Sequence, residues 1–556
     1  MAEETLKQRL TKQLAQLDSD RSTFEPHWRE LSDFISPRSS RFLVSDANRN
    51  SRRNTSIVDP SASLAEDVLS SGMMSGITSP ARPWFKLATP DKAMMDYGPV
   101  KIWLEAVQDR MNDMFNKSNL YQSLPIIYSQ LGTYGVAAMA VMEDDEDVIR
   151  TYPFPIGSYY LANSARLNVD TCFRKFRMTV RQLVTEYGLD KVSDSVKGQW
   201  ETGSYEQWHD VVHAVYPNVN RDTGKLDAKN KRYKSVYFEE AGGDDNILRE
   251  SGFDEFPVMA PRWIVNGEDV YGSKCPGMTA LGQVKALQLE QKRKSQLIDK
   301  ATNPPMVGPT ALKSQRVSLL PGDITYVDQI TGQEGLRPLY QAPLPSADLL
   351  NDIQDTRQLI DRCYYVDLFR MLQNVNTRSM PVEAVIEMKE EKLLMLGPVL
   401  ERLNDEFLDP FIDRAFSIMA RRGMLPPPPE VMQGMPLRIE YISVMAQAQK
   451  SIGVSSLERF VRFVGGMAQA KPEALDKLDI DQSIDNYADA IGVSPTVVVA
   501  AEAVQQIRQQ RAEQQQQMQQ MQMAQAAVQG AKDLSQAKLG DQNALSAVAG
   551  AAGGQQ

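Results

Sequence analysis

Two histidines four residues apart, His209 and His213, form the pattern in this sequence that comes closest to a catalytic metal site. On a helix, this spacing lets two histidines share a zinc ion, and in metalloproteases a glutamate beside the first histidine acts as the base. Asp210 stands where that glutamate would be, and the neighbouring residues are β-branched or aromatic, which favours a strand. Positions four apart on a strand are separated by roughly 13 Å, too far to share one ion. The third histidine, His27, is remote in sequence, so we expect structural histidines rather than a zinc site.

Other chemically active groups are equally isolated. The acidic run 143–147 could hold a divalent cation, but it lacks the glycine and terminal glutamate of a calcium loop, which favours a solvated turn. Cys172, Cys275 and Cys363 are far apart and form no C-x-x-C pair, which predicts reduced thiols. The sequence has no phosphate-binding loop, dinucleotide fingerprint or G-x-S-x-G elbow. We therefore predict no cofactor, no metal and no enzymatic activity.

The composition is that of a folded protein. The 556 residues are 42% hydrophobic, enough for roughly three or four domains with buried cores. The net charge of -10 argues against tight, sequence-independent nucleic-acid binding, which depends on Lys and Arg neutralising phosphates. The first residues are polar and no run of about eighteen apolar residues occurs, so we expect a protein that is neither secreted nor membrane-spanning.

The first half of the chain predicts a compact domain that mixes helices and strands. Leucines spaced three and four apart predict a helix near the start, interrupted by the polar stretch 18–22. The basic stretch 38–53 is either a solvated loop or a nucleic-acid-binding arm, and both interpretations remain open. Beyond it we expect helices over 61–78 and 100–132, and strands over 171–180 and 211–216.

From residue 279 the pattern changes to long helices. Val284, Leu287 and Gln291 follow steps of three and four, which predicts one packing face on the first of them. A second helix is expected from Ser346 to about Gln373, so two long helices bracket a module rich in proline and glycine. In chain order we then expect a helical stretch over 381–422, kinked at Gly397–Pro398, short helices over 445–490, a final helix from Pro495 through the glutamine-rich tract 505–525, and a disordered end after Gly540.

Several segments, in order, resemble the portal or head-to-tail connector family of short-tailed phages. The most specific is PRWIVNGEDVYGSKCPG at Pro261–Gly277, which resembles a family stretch but has one extra residue before Tyr271. The others are HWRELSDFISPR near the start, IVDPSASLAEDVLSSGMMSGITSPARPWFKL from Ile57, TCFRKFRMTVRQL from Thr171, NPPM, PGDI, and the late IGVSPTVVVAAEAVQQIRQQRAEQQQQ. Each motif alone is weak, and their order over roughly residues 25–525 makes the resemblance specific.

The resemblance implies an α+β, predominantly helical subunit that assembles into a cyclic ring of about twelve copies. The implied parts are an N-terminal wing over 1–277, a first stem helix over 278–302, a clip over 303–345, a second stem helix over 346–375, a tunnel loop and kinked wing helix over 376–440, a crown over 441–495, a glutamine-rich barrel helix over 496–540, and a disordered tail over 541–556.

A ring around DNA would need walls that let a polyanion slide. Asp348, Asp352 and Asp355 recur at i, i+4 and i+7, so they share one helix face whose repulsion would keep DNA contacts shallow. An ordinary acidic outward face is the alternative. Lys285 and Lys292 could touch phosphates or pair with these aspartates across subunits. In the stretch that resembles the tunnel loop, the candidates for DNA contact are Asn374, Asn376 and Arg378; a plain inter-helix loop is the alternative. In the clip, the candidates are Lys313 and Arg316, which either dock partner proteins or contact DNA at the channel exit.

The implied function is a non-enzymatic conduit for double-stranded DNA during packaging and ejection. The implied partners are other copies of the chain, double-stranded DNA, the terminase, tail adaptor proteins, and major capsid or scaffold proteins, with no membrane. The implied location is the portal vertex of the capsid, with the host cytoplasm as the site of assembly. The alternatives are another head-tail adaptor or scaffold protein, and a metal-dependent nuclease that uses carboxylates no motif identifies.

Overall fold

The chain divides into two compact units. The first comprises Met1–Lys86, Gln108–Leu425 and Ile439–Gln449, and the second comprises Leu87–Val107, Pro426–Arg438 and Lys450–Gln556. The computed structural model describes residues 4–42, 56–81, 83–89, 97–225, 227–243, 246–308, 337–338, 347–373, 396–432, 438–441, 457–467, 471, 473, 478–491, 499, 501–536, 538–539 and 542–543. The fold is α+β and predominantly helical, as predicted.

Helices and strands alternate in blocks along the chain. The helices up to residue 425 are α1 (Leu6–Ser22), α2 (Glu25–Phe34), α3 (Ser61–Ile77), α4 (Gly98–Lys117), α5 (Leu120–Tyr134), α6 (Val180–Tyr187), α7 (Asp194–Glu201), α8 (Pro276–Thr302), α9 (Ala347–Cys363), α10 (Val366–Gln373), α11 (Gly397–Leu403) and α12 (Asp409–Arg421). The strands are β1 (Phe85–Ala88), β2 (Ala138–Asp144), β3 (Val148–Phe154), β4 (Tyr159–Asn163), β5 (Val169–Thr179), β6 (Trp208–Pro217), β7 (Tyr233–Glu239), β8 (Arg249–Phe253), β9 (Val258–Met259), β10 (Met306–Val307), β11 (Arg337–Pro338) and β12 (Arg438–Tyr441).

The first unit contains a five-stranded antiparallel sheet in the order β4-β5-β6-β7-β8. Leu10, Leu14 and Leu17 of α1 pack on one face of this sheet, because their spacing places them on one side of the helix. A second apolar cluster joins α6 and α7 to β6 around Val211. The strands predicted over 171–180 and 211–216 are therefore confirmed as β5 and β6.

The polar stretch 18–22 does not interrupt α1, and the expected break there was wrong. Arg21 is buried, and its guanidinium donates hydrogen bonds to the carbonyl oxygens of Gly157 (2.5 Å) and Tyr159 (3.1 Å) at the edge of the sheet. The guanidinium also lies over the ring of Tyr160, 3.9 Å from its centroid. A buried arginine whose terminal nitrogens bind the edge of the sheet thus continues the helix through a segment whose composition alone suggests a turn.

The single helical stretch expected over 100–132 is two helices, because the side chain of Asn119 hydrogen-bonds to a neighbouring strand. Its side-chain oxygen accepts from the backbone N–H of Thr151 and its amide nitrogen donates to the carbonyl of Thr151, both at 2.8 Å. These bonds tie the α4–α5 junction to β3, and an asparagine at such a position favours a break.

The structure places both histidines of the 209–213 pair on β6, as the sequence predicts. His209 Nε2 lies 2.6 Å from the side-chain oxygen of Gln199. His213 is buried, stacks on Tyr237 with ring centroids 3.8 Å apart, and its Nε2 lies 2.9 Å from Ser235 Oγ. Burial, together with the nearby charges of Arg174 and Arg249, lowers the pKa of His213 to about 3, so the ring is neutral at physiological pH.

The segment Pro261–Gly277 anchors α8. Arg262 is buried and its guanidinium donates to both carboxylate oxygens of Glu406, at 2.7 and 3.1 Å. Gly272 and Gly277 lie where an added Cβ would be only 2.0 Å from Gly135 O and 2.5 Å from Thr133 O, so the segment packs directly on the end of α5. In the stretch PRWIVNGEDVYGSKCPG, the ion pair therefore explains the arginine at 262, and the close backbone contacts explain the glycines at 272 and 277.

Cys275 caps the start of α8. Its buried sulfur accepts from the N–H of Met278 (3.4 Å) and donates to the carbonyl of Thr133 (3.2 Å), and burial raises the pKa of the thiol to about 12. The sulfur is therefore an uncharged capping group, which satisfies one of the unpaired N–H groups at the helix start. The helix begins at Pro276, close to the predicted start at 278.

The kink expected at Gly397–Pro398 stays a prediction, because the helical stretch that would precede it is not among the described residues. Pro398 lies in the first turn of α11, where a missing N–H leaves no hydrogen bond unmade. In the described part of this stretch, Asn404–Leu408 forms a π-helical turn that contains Glu406. The part of the predicted helix over 381–395 lies outside the described residues.

The second unit contains further helices. These are α13 (457–467), α14 (Ile480–Ile491) and α15 (Ala501–Gln536), followed by the short antiparallel strands β13 (Lys538–Leu539) and β14 (Gln542–Asn543). The tail expected to be disordered from 541 therefore includes at least the paired strand β14. In the described ranges, no helix combines the length and apolar character that crossing a bilayer requires.

Candidate functional site

The two long helices α8 and α9 pack side by side and carry half of the predicted site residues. The strands β10 and β11 follow α8 and precede α9, and they pair antiparallel, Met306 with Pro338 and Val307 with Arg337. Two helices therefore bracket a module whose ends are joined by a short ladder. The strand-like piece expected over 324–327 lies outside the described residues.

A buried carboxylate, Asp59, joins α8 and α9 to the start of α3. Its Oδ2 accepts from Arg357 of α9 (2.7 and 3.2 Å) and from Gln291 of α8 (2.9 Å). Its Oδ1 accepts from the backbone N–H and the hydroxyl of Ser61, at 2.9 and 2.5 Å. The side chain of Asp59 is only 2% exposed, whereas that of its donor Arg357 is 42% exposed, so the carboxylate is buried while this ion pair reaches the surface.

Gln288 holds the backbone of the same segment. Its side-chain oxygen accepts from the N–H groups of Val58 (2.6 Å) and Asp59 (2.8 Å), and its amide nitrogen donates to the carbonyl of Asp59 (2.8 Å). Burial alone would raise the pKa of Asp59, but hydrogen bonds from Ser61 and Arg357 outweigh burial and hold that pKa below its usual value. Asp59 is therefore ionised at neutral pH. We call Asp59, Gln288, Gln291 and Arg357 the Asp59 junction.

Lys285, one of the predicted DNA-contact residues, has a partner inside its own subunit. Its Nζ lies 2.7 Å from Glu30 Oε2 of α2 and 5.7 Å from the centroid of the Phe34 ring. A hydrogen bond from Lys285 lowers the pKa of Glu30. The charge of this lysine is thus partly balanced by α2.

The other predicted charges on the helix pair face solvent. Lys292 on α8 and Asp348, Asp352 and Asp355 on α9 are exposed, and within the described ranges none has an ion-pair partner. Burial, followed by the charge of Asp352, raises the pKa of Glu290. The aspartates therefore form a stripe of uncompensated negative charge along α9, as their spacing predicts.

The helix expected over 346–375 is broken at Tyr364–Tyr365. Tyr365 has φ +56°, a left-handed backbone that a non-glycine residue adopts only at some cost. Tyr364 and Phe369 are buried on either side of the break, and the ring of Phe369 occupies the space where Gly72 of α3 would carry a Cβ, 2.2 Å away. Packing of these rings against α3 fixes a change of direction that helical periodicity does not show.

A second buried carboxyl, Glu66 of α3, lies beside this break. It is 4% exposed and accepts a hydrogen bond from the Ser129 hydroxyl of α5. Burial raises the pKa of Glu66 to about 7, even though hydrogen bonds from Ser129 and Thr133 act in the opposite direction. Burial, followed by the charge of Glu66, also raises the pKa of Tyr364 far above its usual value. Glu66 therefore changes its charge near neutral pH, next to the α9–α10 break.

The remaining predicted site residues, Lys313, Arg316, Asn374, Asn376 and Arg378, lie outside the described residues. In the described part of the chain, no group of three or more His, Cys, Asp or Glu side chains is close enough to hold a metal ion. The three cysteines are free thiols.

Sequence reasoning missed Asp59 and Glu66. One signal for Asp59 was available: Gln291 stands on the packing face of α8, where a polar side chain requires a buried partner. Glu66 has no comparable signal, because a glutamate inside a helix is ordinarily exposed.

Three comparisons with known proteins bear on this arrangement. A family model described as "Bacteriophage head to tail connecting protein" matches residues 7–499. The chain is 71% identical over 553 residues to the portal protein of Salmonella phage epsilon15, covering 100% of both chains. It is 43% identical over 504 residues to the probable portal protein of Bordetella phage BPP-1, covering 91% of each. It also aligns with a chain in the neck of an empty GTA particle over 72% of its own length and 86% of the other, but a TM-score of 0.34 at 9% identity supports no argument.

Replacing Asp59 should destabilise the fold more than replacing an exposed acidic residue of α9. We expect Asp59→Ala to lower the free energy of unfolding by about 2–3 kcal/mol, because Arg357, Gln291 and Ser61 lose their shared acceptor. Denaturant unfolding measures this change. The matched control is Asp355→Ala, expected to change stability by less than about 0.5 kcal/mol. Equal effects of the two substitutions would contradict the importance of the Asp59 junction.

Glu66 predicts a pH dependence of stability with a definite sign. Its pKa in the folded chain, about 7, is above the ordinary value of 4.5, so the folded state binds more protons between these limits. The free energy of unfolding should therefore fall as pH rises from 4.5 to 7, by up to about 3 kcal/mol. Glu66→Gln keeps an acceptor for Ser129 and should be the more stable protein at pH 8, while Glu401→Gln, at an exposed position on α11, serves as the control. If Glu66→Gln and the wild type differ in free energy of unfolding by the same amount at pH 5 and pH 8, the raised pKa of Glu66 is wrong.

Proposed function

This chain belongs to the bacteriophage head-to-tail connecting protein family, and from that membership we propose that it forms the portal ring at one vertex of a phage capsid. In this role the ring is the conduit through which double-stranded DNA is packaged and ejected. The observation that carries the proposal is the 71% identity to a portal protein along the whole of both chains. Identity at this level preserves the fold and, with it, the surfaces on which assembly depends.

The arrangement of the helices supports the assignment of parts. We propose α8 and the α9–α10 pair as the stem, and the module over 303–345 between them as the clip. The ladder between β10 and β11 supports this division, because it closes the module at its base. The remaining parts follow the order given by the sequence: a wing over 1–277, a tunnel loop and wing helix over 376–440, a crown over 441–495 and a barrel helix over 496–540.

The acidic stripe of α9 is the proposed wall of the DNA channel. Asp348, Asp352 and Asp355 are exposed and uncompensated among the described residues, and ring symmetry repeats them in every copy. Repulsion between these carboxylates and the DNA phosphates prevents the duplex from binding tightly to the channel wall, so the DNA can slide. Lys292 is the proposed cationic contact on α8, whereas Lys285 is already engaged by Glu30.

The loop and clip residues complete the proposed set. Asn374, Asn376 and Arg378 are proposed to contact DNA from the tunnel loop, and Lys313 and Arg316 to take part in docking at the clip. The proposed partners are the terminase, tail adaptor proteins, and the capsid or scaffold proteins at the vertex. Assembly is proposed to take place in the host cytoplasm, with the finished ring in the virion. The role is structural, and no catalytic step is proposed.

The ring can be tested directly. Native mass spectrometry of the purified chain, paired with negative-stain images, should show a closed assembly of about twelve copies with an axial hole. Measurement at several salt and protein concentrations separates a stable ring from a transient aggregate. A protein that stays monomeric or dimeric under all these conditions would overturn the proposal.

Charge reversal tests the channel wall. Asp348→Lys, Asp352→Lys and Asp355→Lys together should leave ring assembly intact but reduce DNA packaging by roughly an order of magnitude or more, because cationic walls bind phosphates. The control carries the same change in charge at exposed positions elsewhere: Asp190→Lys, Glu201→Lys and Glu268→Lys. Packaging at the wild-type level by the α9 variant would show that this face does not line the channel.

A further inference from the structure

Arg174 on β5 is a partly buried arginine whose guanidinium donates to no oxygen atom among the described residues. Its Nε is buried and has no hydrogen-bond partner. The buried arginines Arg21, Arg262 and Arg414, by contrast, each donate to carbonyl or carboxylate oxygens. A guanidinium carries five N–H donors, and a donor taken out of water without an acceptor costs free energy. Arg174 therefore lacks the oxygen acceptors that the other three arginines have.

Two aromatic rings hold this guanidinium in position. The Cζ of Arg174 lies 4.3 Å from the centroid of the Phe154 ring and 4.8 Å from that of the Phe176 ring. A cation is attracted to the face of an aromatic ring, but a phenylalanine ring offers no oxygen to an N–H group. Tyr152 lies two positions before Phe154 on β3, hence on the same side of that strand, and is 40% exposed. The aromatic surface around Arg174 thus reaches the solvent.

The neighbouring strands supply no counterion for Arg174. His213 stands directly opposite it on β6, followed by Tyr237 on β7 and Arg249 on β8, in one row on the face of the sheet away from α1. His213 is neutral, and Arg249 is already paired with Glu186 at 2.6 Å. The row therefore contains no free carboxylate that could balance the charge of Arg174.

A second arginine, Arg41, lies near Arg174. Its backbone N–H donates to the carbonyl oxygen of Ile156 at 2.8 Å, which holds it against the connection between β3 and β4. Among the described residues, its side chain has no hydrogen bond or ion pair. Burial lowers the pKa of Arg174, and repulsion from the charge of Arg41 acts in the same direction. Two cations thus lie close together without an anion, and binding of an anion would relieve their repulsion.

We propose that Arg174 and Arg41 form a docking site for the carboxylate side chains of an acidic segment in a partner protein. A carboxylate matches the planar guanidinium, because its two oxygens accept two parallel hydrogen bonds. DNA requires a row of cations that neutralises several phosphates, whereas this site offers two. Phe154 is 1% exposed, so its ring cannot stack on a base. The basic stretch 38–53, to which Arg41 belongs, thereby gains a protein partner at this position.

Arginine modification of the purified full-length chain tests the site. Phenylglyoxal adducts are mapped by mass spectrometry with and without a hexaglutamate peptide, at constant ionic strength. The peptide should slow the modification of Arg174 and Arg41 by about threefold or more, because bound carboxylates cover their N–H groups. Arg9, an exposed arginine of α1 without an ion pair among the described residues, is the matched control and should react at an unchanged rate.

Two further probes separate carboxylates from other anions. Inorganic phosphate and a short DNA duplex, each at the same concentration of negative charge as the peptide, should protect Arg174 less than the peptide does. Equal or stronger protection by either probe would overturn the assignment to an acidic protein segment. Equal protection of Arg9, or no protection of Arg174 by the peptide, would remove the site altogether.

Substitution distinguishes a docking residue from a structural one. Arg174→Met keeps an apolar side chain beside the rings and removes an unpaired cation, so we expect the Tm to stay within about 1 °C of wild type or to rise. Arg21→Met is the matched control, because Arg21 also lies over a ring but binds two carbonyl oxygens, and it should lower the Tm by several degrees. Equal decreases in the two variants would make Arg174 a structural residue.

A conservative variant tests the planar group itself. Arg174→Lys keeps the charge but cannot bind a carboxylate through two parallel hydrogen bonds, so the peptide should protect Arg41 less in this variant than in the wild type. Unchanged protection of Arg41 would show that Arg174 takes no part in binding. None of these measurements involves ring assembly, so the docking site and the proposed function can fail independently.

Discussion

The packing of the long helices depends on one buried carboxylate. Asp59 stands at the entrance to α3, and its oxygens are shared by a guanidinium from α9, an amide from α8 and the first residue of α3. A carboxylate out of water is tolerated only when such donors satisfy it, so the geometry of all three helices is fixed by the need to keep them in place. Gln288 of α8 also hydrogen-bonds to the backbone of Val58 and Asp59, which fixes the position of this segment along α8.

Two further buried charges join elements of the first unit in the same way. Arg21 ties α1 to the edge of the five-stranded sheet, and Arg262 ties the segment before α8 to Glu406. In each case a charged group is surrounded by carbonyl or carboxylate oxygens, and its removal would leave several partners unsatisfied. The helices of this unit are therefore joined by polar junctions placed between apolar contacts.

Much of this fold could be predicted from the sequence, because periodicity reports local structure. The spacing in α1 and α8 and the alternation in β5 and β6 follow from which side of each element is buried. The breaks could not be predicted in the same way. Tyr365 departs from helical geometry because α3 receives the rings on either side of it, and Asn119 ends α4 because it binds β3, and both partners are distant in sequence. For the site, the acidic stripe was visible as a spacing, but the pairing of Lys285 with Glu30 joins residues far apart in the chain.

The break at Tyr365 has a mechanical consequence. A continuous helix transmits an axial push from one end to the other through its ladder of hydrogen bonds. Between α9 and α10 that ladder is interrupted, while Phe369 is wedged against Gly72. We therefore expect a force applied along α9 to reach α3 at this break, so that α9 and α10 respond as two short helices with a hinge between them rather than as one rigid rod.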